Sequence, residues 1–176
     1  MFESLPSCMT GRVQIDLALE DAAWLQDLPD VEAAVETAGV AVLDRVCAGP
    51  ALNMSVVLTD DAEVQALNLR WRGIDMPTNV LSFPTEERSP DLAPAPPPGA
   101  PSGLPIELGD IVLARETVMR EARAGGITPR QHLCHLVVHG SLHLLGYDHE
   151  EDVAAECMEG LEIAVLADLG IPNPYQ

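Results

Sequence analysis

Three histidines in one short run, His139, His143 and His149, have the residue type and spacing to hold a transition-metal ion. On a helix, positions 139 and 143 lie one turn apart on the same face, so two imidazoles can meet one small cation. Three neutral nitrogen ligands leave a fourth position open, which is the arrangement of catalytic zinc sites; structural zinc sites are closed by four protein ligands. The expectation is one zinc ion per chain on His139, His143 and His149, at a hydrolytic centre. His132 and His135 share the segment, and His135 is four residues from His139, which offers an alternative pair. His135 lies further from the point where the helix must break, and this assigns it to packing or to support of a ligand ring.

The elements that must position these rings are written in the flanking residues. Thr128-Pro129-Arg130-Gln131 is a helix start, with Thr as N-cap, Pro at the first helical position and Gln closing a capping box. The helix predicted from there runs to Leu145, and Gly146 supplies the left-handed turn that ends it. The chain then folds back and presents His149 from the opposite side. This spacing matches the metzincin protease motif H-E-x-x-H-x-x-G-x-x-H, with one difference: Gly140 stands where that motif has its general-base glutamate. A glycine accepts no proton from water, so a peptidase would have to find its base elsewhere.

Residues 13–19 alternate apolar and polar, the period of a half-buried strand. Residues 29–47 turn helical, with Asp30 as N-cap and Val31, Val35, Val42 and Val46 on an apolar face. A strand is predicted over residues 55–59, then a helix capped by Asp60 or Asp61 and running through Leu67 to Trp71. A short β run over residues 79–84 ends in proline. A strand over residues 109–114 leads into a helix to about Ala124. A last helix over residues 151–169 places Val153, Cys157, Leu161 and Val165 on one face. The proline-rich stretch from Ser89 to Pro105 sustains neither helix nor central strand, and reads as a surface loop. Strands mixed with helices, without regular βαβ alternation, predict an α+β fold. The expected form is a single domain over residues 1–176, a small mixed sheet packed with helices, with the metal site at a helix and the turn after it.

The chain is 47% apolar with six aromatic residues, so its core must be built from Leu, Val, Ile and Ala; Trp71, Tyr147 and Met158 are assigned to it. No apolar run approaches the roughly 18 residues of a membrane span. The start Met1-Phe2-Glu3-Ser4-Leu5-Pro6 lacks the basic and apolar regions of a secretory signal, which points to the cytoplasm. Cys8, Cys47, Cys134 and Cys157 form no C-x-x-C pair and are expected to be reduced and mostly buried. The net charge of −19 argues against a tight, indiscriminate grip on a polyanion. All nine basic residues are Arg, and Arg70, Arg72, Arg115, Arg120, Arg123 and Arg130 fall in one stretch. They could form a local basic surface, but spacing alone does not bring them together.

The run from His139 to His149, His-Gly-Ser-Leu-His-Leu-Leu-Gly-Tyr-Asp-His, resembles the signature H-G-x-L-H-L-x-G-y-D-H of the YbeY family, bacterial metal-dependent endoribonucleases of ribosomal RNA maturation. Three further stretches are similar to family elements. Leu67-Asn68-Leu69-Arg70-Trp71-Arg72-Gly73 and Thr78-Asn79-Val80-Leu81-Ser82-Phe83-Pro84 resemble L-N-x-x-y-R and T-D-V-L-S-F-P, and Leu108-Gly109-Asp110-Ile111-Val112 resembles the L-G-D-I block. The resemblance implies an α+β fold with the metal in a cleft, the three histidines as ligands and Arg72 as a functional arginine. Asn79 departs from the usual Asp, removing a carboxylate, and the loop from Ser89 to Pro105 is longer than the pattern needs.

The activity implied by the resemblance is that of a zinc-dependent, single-strand-specific endoribonuclease. It would act on the 16S 3′ end and in ribosome quality control, with RNA and the ribosomal subunit as partners. Phosphodiester hydrolysis suits the residues: a metal on three neutral ligands polarises a phosphoryl oxygen and lowers the pKa of bound water. Arg72 could add bidentate donors to the phosphate, or pair with Asp75 on the surface. Asp148 could orient a ligand histidine or take a proton from water; Asp110 braces a strand end. A non-catalytic ribosome-assembly factor with a fold-stabilising metal, and a metzincin-like peptidase, are the alternatives.

Overall fold

The computed structural model describes residues 12–47 and 49–176; the N-terminal reading and Cys8 lie outside them. Ten elements occur in the order β1 Val13–Leu19, α1 Trp24–Asp27, α2 Val31–Val46, β2 Leu52–Thr59, α3 Asp61–Arg72, β3 Val80–Pro84, β4 Ile106–Ala114, α4 Arg115–Gly125, α5 Pro129–Leu144 and α6 Asp152–Asp168. The strands make one sheet in the order β1-β2-β4-β3. β1 pairs with β2 and β2 with β4 in parallel, while β3 runs antiparallel to β4. This is the mixed sheet packed with helices expected of an α+β fold. β3 is an edge strand, so its outer backbone groups face no further strand among the described residues.

One face of the sheet carries the main core. α2 buries Val31, Ala34, Val35, Ala38, Val42 and Leu43, a helical stripe that packs with α5 and β1. Trp24 is wholly buried, and its indole Nε1–H donates to the Thr59 carbonyl at 3.0 Å, which answers the polar end of an otherwise apolar ring. The opposite face holds a smaller cluster of Val64, Leu81, Val112 and Ala114 under α3.

Local capping sets the helix starts. Asp60 is the cap of α3, accepting from the Glu63 N–H at 2.9 Å, and Thr128 with Gln131 forms the full capping box of α5. Asp30 precedes α2 but makes no cap bond there; its carboxylate is taken by Arg130.

Two expectations are corrected, the burial of Cys157 and the core place of Trp71. α6 buries Met158, Glu162, Val165 and Leu166, whereas Val153 is 80% exposed and Cys157 is exposed. The buried stripe contains a carboxylate, and a reading by hydropathy passes over it. Cys47 and Cys134 are buried as expected. Trp71 is 62% exposed: it sits at the end of α3, beside Phe83 at 6.0 Å, with the exposed Arg70 guanidinium 5.3 Å from its ring centroid. Met158 is in the core, and Tyr147 packs against its margin.

The loop over residues 85–105 contains neither helix nor strand, and its ends are clamped. Thr85 N–H donates to the Leu108 carbonyl at 3.0 Å. Arg88 donates from Nη1 to Leu108 O at 3.0 Å and Leu144 O at 3.4 Å, and from Nη2 to Glu107 O at 3.0 Å. No described helix is long and apolar enough to cross a membrane.

Candidate metal centre

α5 is buried on almost every side, against α2, α4, α6, β3 and β4. From Leu133 to Leu144 only His135, His139 and His143 escape full burial; with His132 they form the one stripe left open, at positions i, i+3, i+7 and i+11. Tight packing on the other sides selects Gly140. A Cβ there would come within 3.0 Å of Ile111 Cγ2 and of Ser82 Oγ, and Ser82 donates to the Gly140 carbonyl at 3.3 Å.

Gly146 turns the chain. Its φ of +91° is left-handed, and a Cβ would sit 2.3 Å from the Arg88 carbonyl oxygen, so the helix stops and reverses here. The reversal brings the Tyr147 carbonyl 3.0 Å from His143 Nδ1 and returns His149 to the other rings. Ring centroids stand 4.6 Å apart for His139 and His143, 5.0 Å for His143 and His149, and 5.5 Å for His139 and His149. One nitrogen from each lies within 4.8 Å of the others.

Proton placement decides whether this trio suits a cation. Burial and then the neighbouring His139 and His149 push the His143 pKa down to about 4, so it is neutral near pH 7. A carbonyl only accepts, so the ring proton of His143 is on Nδ1 and its Nε2 is bare. His139 Nδ1 lies 2.7 Å from Glu162 Oε1. Burial works to raise the Glu162 pKa, but hydrogen bonds from His135, His139 and Tyr175 outweigh it and hold it at about 2. Facing a carboxylate, His139 also keeps its proton on Nδ1. The two Nε2 atoms stand 3.1 Å apart, and with both ring protons on Nδ1 their lone pairs would face one cation. Two ligands at about 2.0–2.1 Å from a tetrahedral zinc would stand roughly 3.3–3.4 Å apart. The donor set fits the metal.

The histidines open on a cavity of about 430 Å³, walled by β3, Arg72, Asn79 and Asp148. Arg72 is its one basic lining residue, and no ion pair involves it among the described residues; Asp75 accepts from Gln65 instead. Asp148 Oδ1 accepts the His149 backbone N–H at 2.7 Å, so it braces the turn rather than a ligand ring. Asn79 donates to Glu121 at 2.9 Å, and Glu121 also takes His132. The arginines do not converge. Arg115 binds Asp21, Asp27 and Glu116, Arg120 pairs with Asp61 and Arg130 with Asp30. Asp110 lines a separate groove with Trp71 and Phe83. No residue of the proline-rich loop from Ser89 to Pro105 lines the histidine cavity.

Sequence reasoning missed Glu162 and Tyr175. A lone Glu in the apolar stripe of α6 was a signal, because such a residue is almost never fully buried unless paired. Tyr175 gave none.

Three imidazoles gathered at the wall of an open cavity are the donor set of a hydrolytic metal centre. The comparisons with known proteins narrow this. The family model described as endoribonuclease YbeY matches residues 20–170, and the chain belongs to that family. Endoribonuclease YbeY of Azorhizobium caulinodans is 47% identical over 166 residues, covering 93% of this chain and 96% of its own. That of Rhodospirillum rubrum is 47% identical over 181 residues, covering 97% and 84%. The solution structure of TM1509 from Thermotoga maritima is similar with a TM-score of 0.50 and 26% identity, over 89% of this chain and 91% of that one.

Proposed function

We propose that this chain, taken as one domain over residues 1–176, is a zinc-dependent, single-strand-specific endoribonuclease of the cytoplasm. Its role is 16S 3′-end maturation and ribosome quality control. The observation that carries the reading is the gathering of His139, His143 and His149, with the Nε2 atoms of the first two 3.1 Å apart, beside an open cavity. His139, His143 and His149 would hold the zinc ion, which supplies Lewis acidity at the phosphodiester and lowers the pKa of water at the open position.

The chain's own groups do the rest. Arg72 offers parallel N–H donors to a phosphate as its negative charge grows. Asp148 lines the cavity with one oxygen engaged by the His149 N–H, and its carboxylate can receive a proton there. The outer edge of β3 can hold an extended strand against the site. A net charge of −19 supports delivery of RNA by a ribosomal partner rather than by general attraction.

The test joins metal analysis to cleavage of single-stranded and duplex RNA. Wild type should hold one zinc and cleave the single strand. His143→Ala should lose both zinc and cleavage. Arg72→Ala should keep zinc and lose about 10²–10³ in rate, the usual effect of removing one transition-state donor. Loss of zinc with cleavage unchanged in His143→Ala would sink the reading. Zinc binding that raises stability, with no turnover on any RNA, would favour the assembly factor.

A further inference from the structure

Glu162 is 1% exposed, on a helix face otherwise given to Met158, Val165 and Leu166. For packing alone an apolar residue would serve as well or better, because burying a carboxylate is unfavourable unless its oxygens are bonded. Here three donors from two separate elements converge on it. His139 Nδ1 lies 2.7 Å from Oε1 and His135 Nε2 3.0 Å from Oε2; the Tyr175 hydroxyl donates to Oε2. Tyr175 also sets its ring edge-on to His135, with centroids 5.8 Å apart.

His135, His139 and Glu162 also gather ligand atoms within 4.8 Å, as a second cation site would. Yet each histidine nitrogen is already at hydrogen-bond distance from a carboxylate oxygen, so protons fill the gaps and leave no place for an ion. The cluster acts on the first centre instead. Its carboxylate fixes the His139 proton on Nδ1, which keeps Nε2 bare toward His143 and makes that nitrogen more basic.

We infer that Glu162 is the positioning residue of His139, that His135 and Tyr175 hold it in place, and that together they set how tightly the centre binds zinc. The inference rests on the metal reading of the histidines, not on the nuclease reading.

The experiment measures zinc affinity by competition with a chromophoric chelator, for wild type, Glu162→Gln and Tyr175→Phe. Cobalt(II) absorption reports ligand geometry, and ¹⁵N NMR of the metal-free chains reports the His139 tautomer. Glu162→Gln should weaken zinc binding about 10–100-fold, alter the cobalt bands and raise the fraction of His139 protonated on Nε2. Tyr175→Phe should weaken binding severalfold. A structural role alone would lower the metal-free Tm and leave affinity and tautomer unchanged, and that result overturns the inference. If Glu162→Gln does not fold, Tyr175→Phe decides, because Tyr175 is 46% exposed and only its hydroxyl is removed; unchanged zinc affinity there is equally fatal. A wild type that takes up no zinc overturns the metal reading and this inference with it. A wild type that binds zinc but cleaves no RNA fails the nuclease reading alone, with the affinity losses still expected.

Discussion

Replacing Gly140 by alanine sets two opposed effects against each other at the helix that carries two of the three histidines. In an exposed helix, Gly→Ala stabilises by about 0.8–1.0 kcal/mol. At position 140 the added methyl meets Ile111 Cγ2 at 3.0 Å, Ile111 Cδ1 at 3.1 Å and Ser82 Oγ at 3.0 Å. Ile111 is fully buried and cannot swing away, so α5 and the sheet must part by a few tenths of an ångström. Overpacking of this kind costs about 1–3 kcal/mol. The net is a loss of about 0–2 kcal/mol, and near 1 kcal/mol it lowers Tm by about 2–4 °C in a chain of this size. Calorimetry on the metal-free chain, with urea unfolding as a second measure, reads this directly. A rise in Tm would refute the argument, since it would mean that helix propensity outweighs contact with the sheet. Gly140→Glu, the change that would restore the protease motif, places a carboxylate in the same gap and should leave no stable fold.

Arg115 offers a test by pH. Its hydrogen bond to Asp21, with a second from the Ala23 N–H, holds the Asp21 carboxyl below its usual pKa. A depressed folded-state pKa contributes stability above the ordinary aspartate range and loses it as pH falls through and below about 4. Arg115→Ala should therefore cost about 1–2 kcal/mol at pH 7, with the difference from wild type shrinking under acid; a gap that stays constant down to pH 3 would contradict this. Trp71→Phe should change unfolding free energy by no more than about 0.5 kcal/mol, because the ring is mostly in water. The same variant should remove the quenchable part of the tryptophan fluorescence and leave the blue-shifted emission of Trp24; a large stability loss would show that Trp71 is packed after all.

Most of the framework could be read from local signals, because caps and breaks act over three or four residues. Thr128 with Gln131, Asp60 before α3 and Gly146 after α5 are legible for that reason, and with them the approach of His139, His143 and His149. What needed coordinates was anything decided by a distant surface. Trp71 looks like core until α3 is placed with its last turn over open solvent. Glu162 interrupts an apolar stripe, but its partners are not known until His135, His139 and Tyr175 gather on it. The arginines look like a basic stretch until Asp21, Asp30 and Asp61 arrive from other elements. Gly140 was recognised as a missing base, but its positive role, letting a helix lie close on a sheet, depends on Ile111 and Ser82.

The clamped ends of the proline-rich loop separate its length from the chemistry. Thr85 and Arg88 fasten one end to Glu107, Leu108 and Leu144, and the Ile106 N–H fixes the other to Ala51 at 2.8 Å. Between them runs a tether whose contour can grow with little penalty, since doubling a flexible loop adds only about 0.6 kcal/mol of closure entropy. Residues added here should therefore cost little stability. For the experimenter the same stretch is a graft point: an affinity peptide or fluorophore set near Pro97 would give a purification or anisotropy handle outside the histidine cavity.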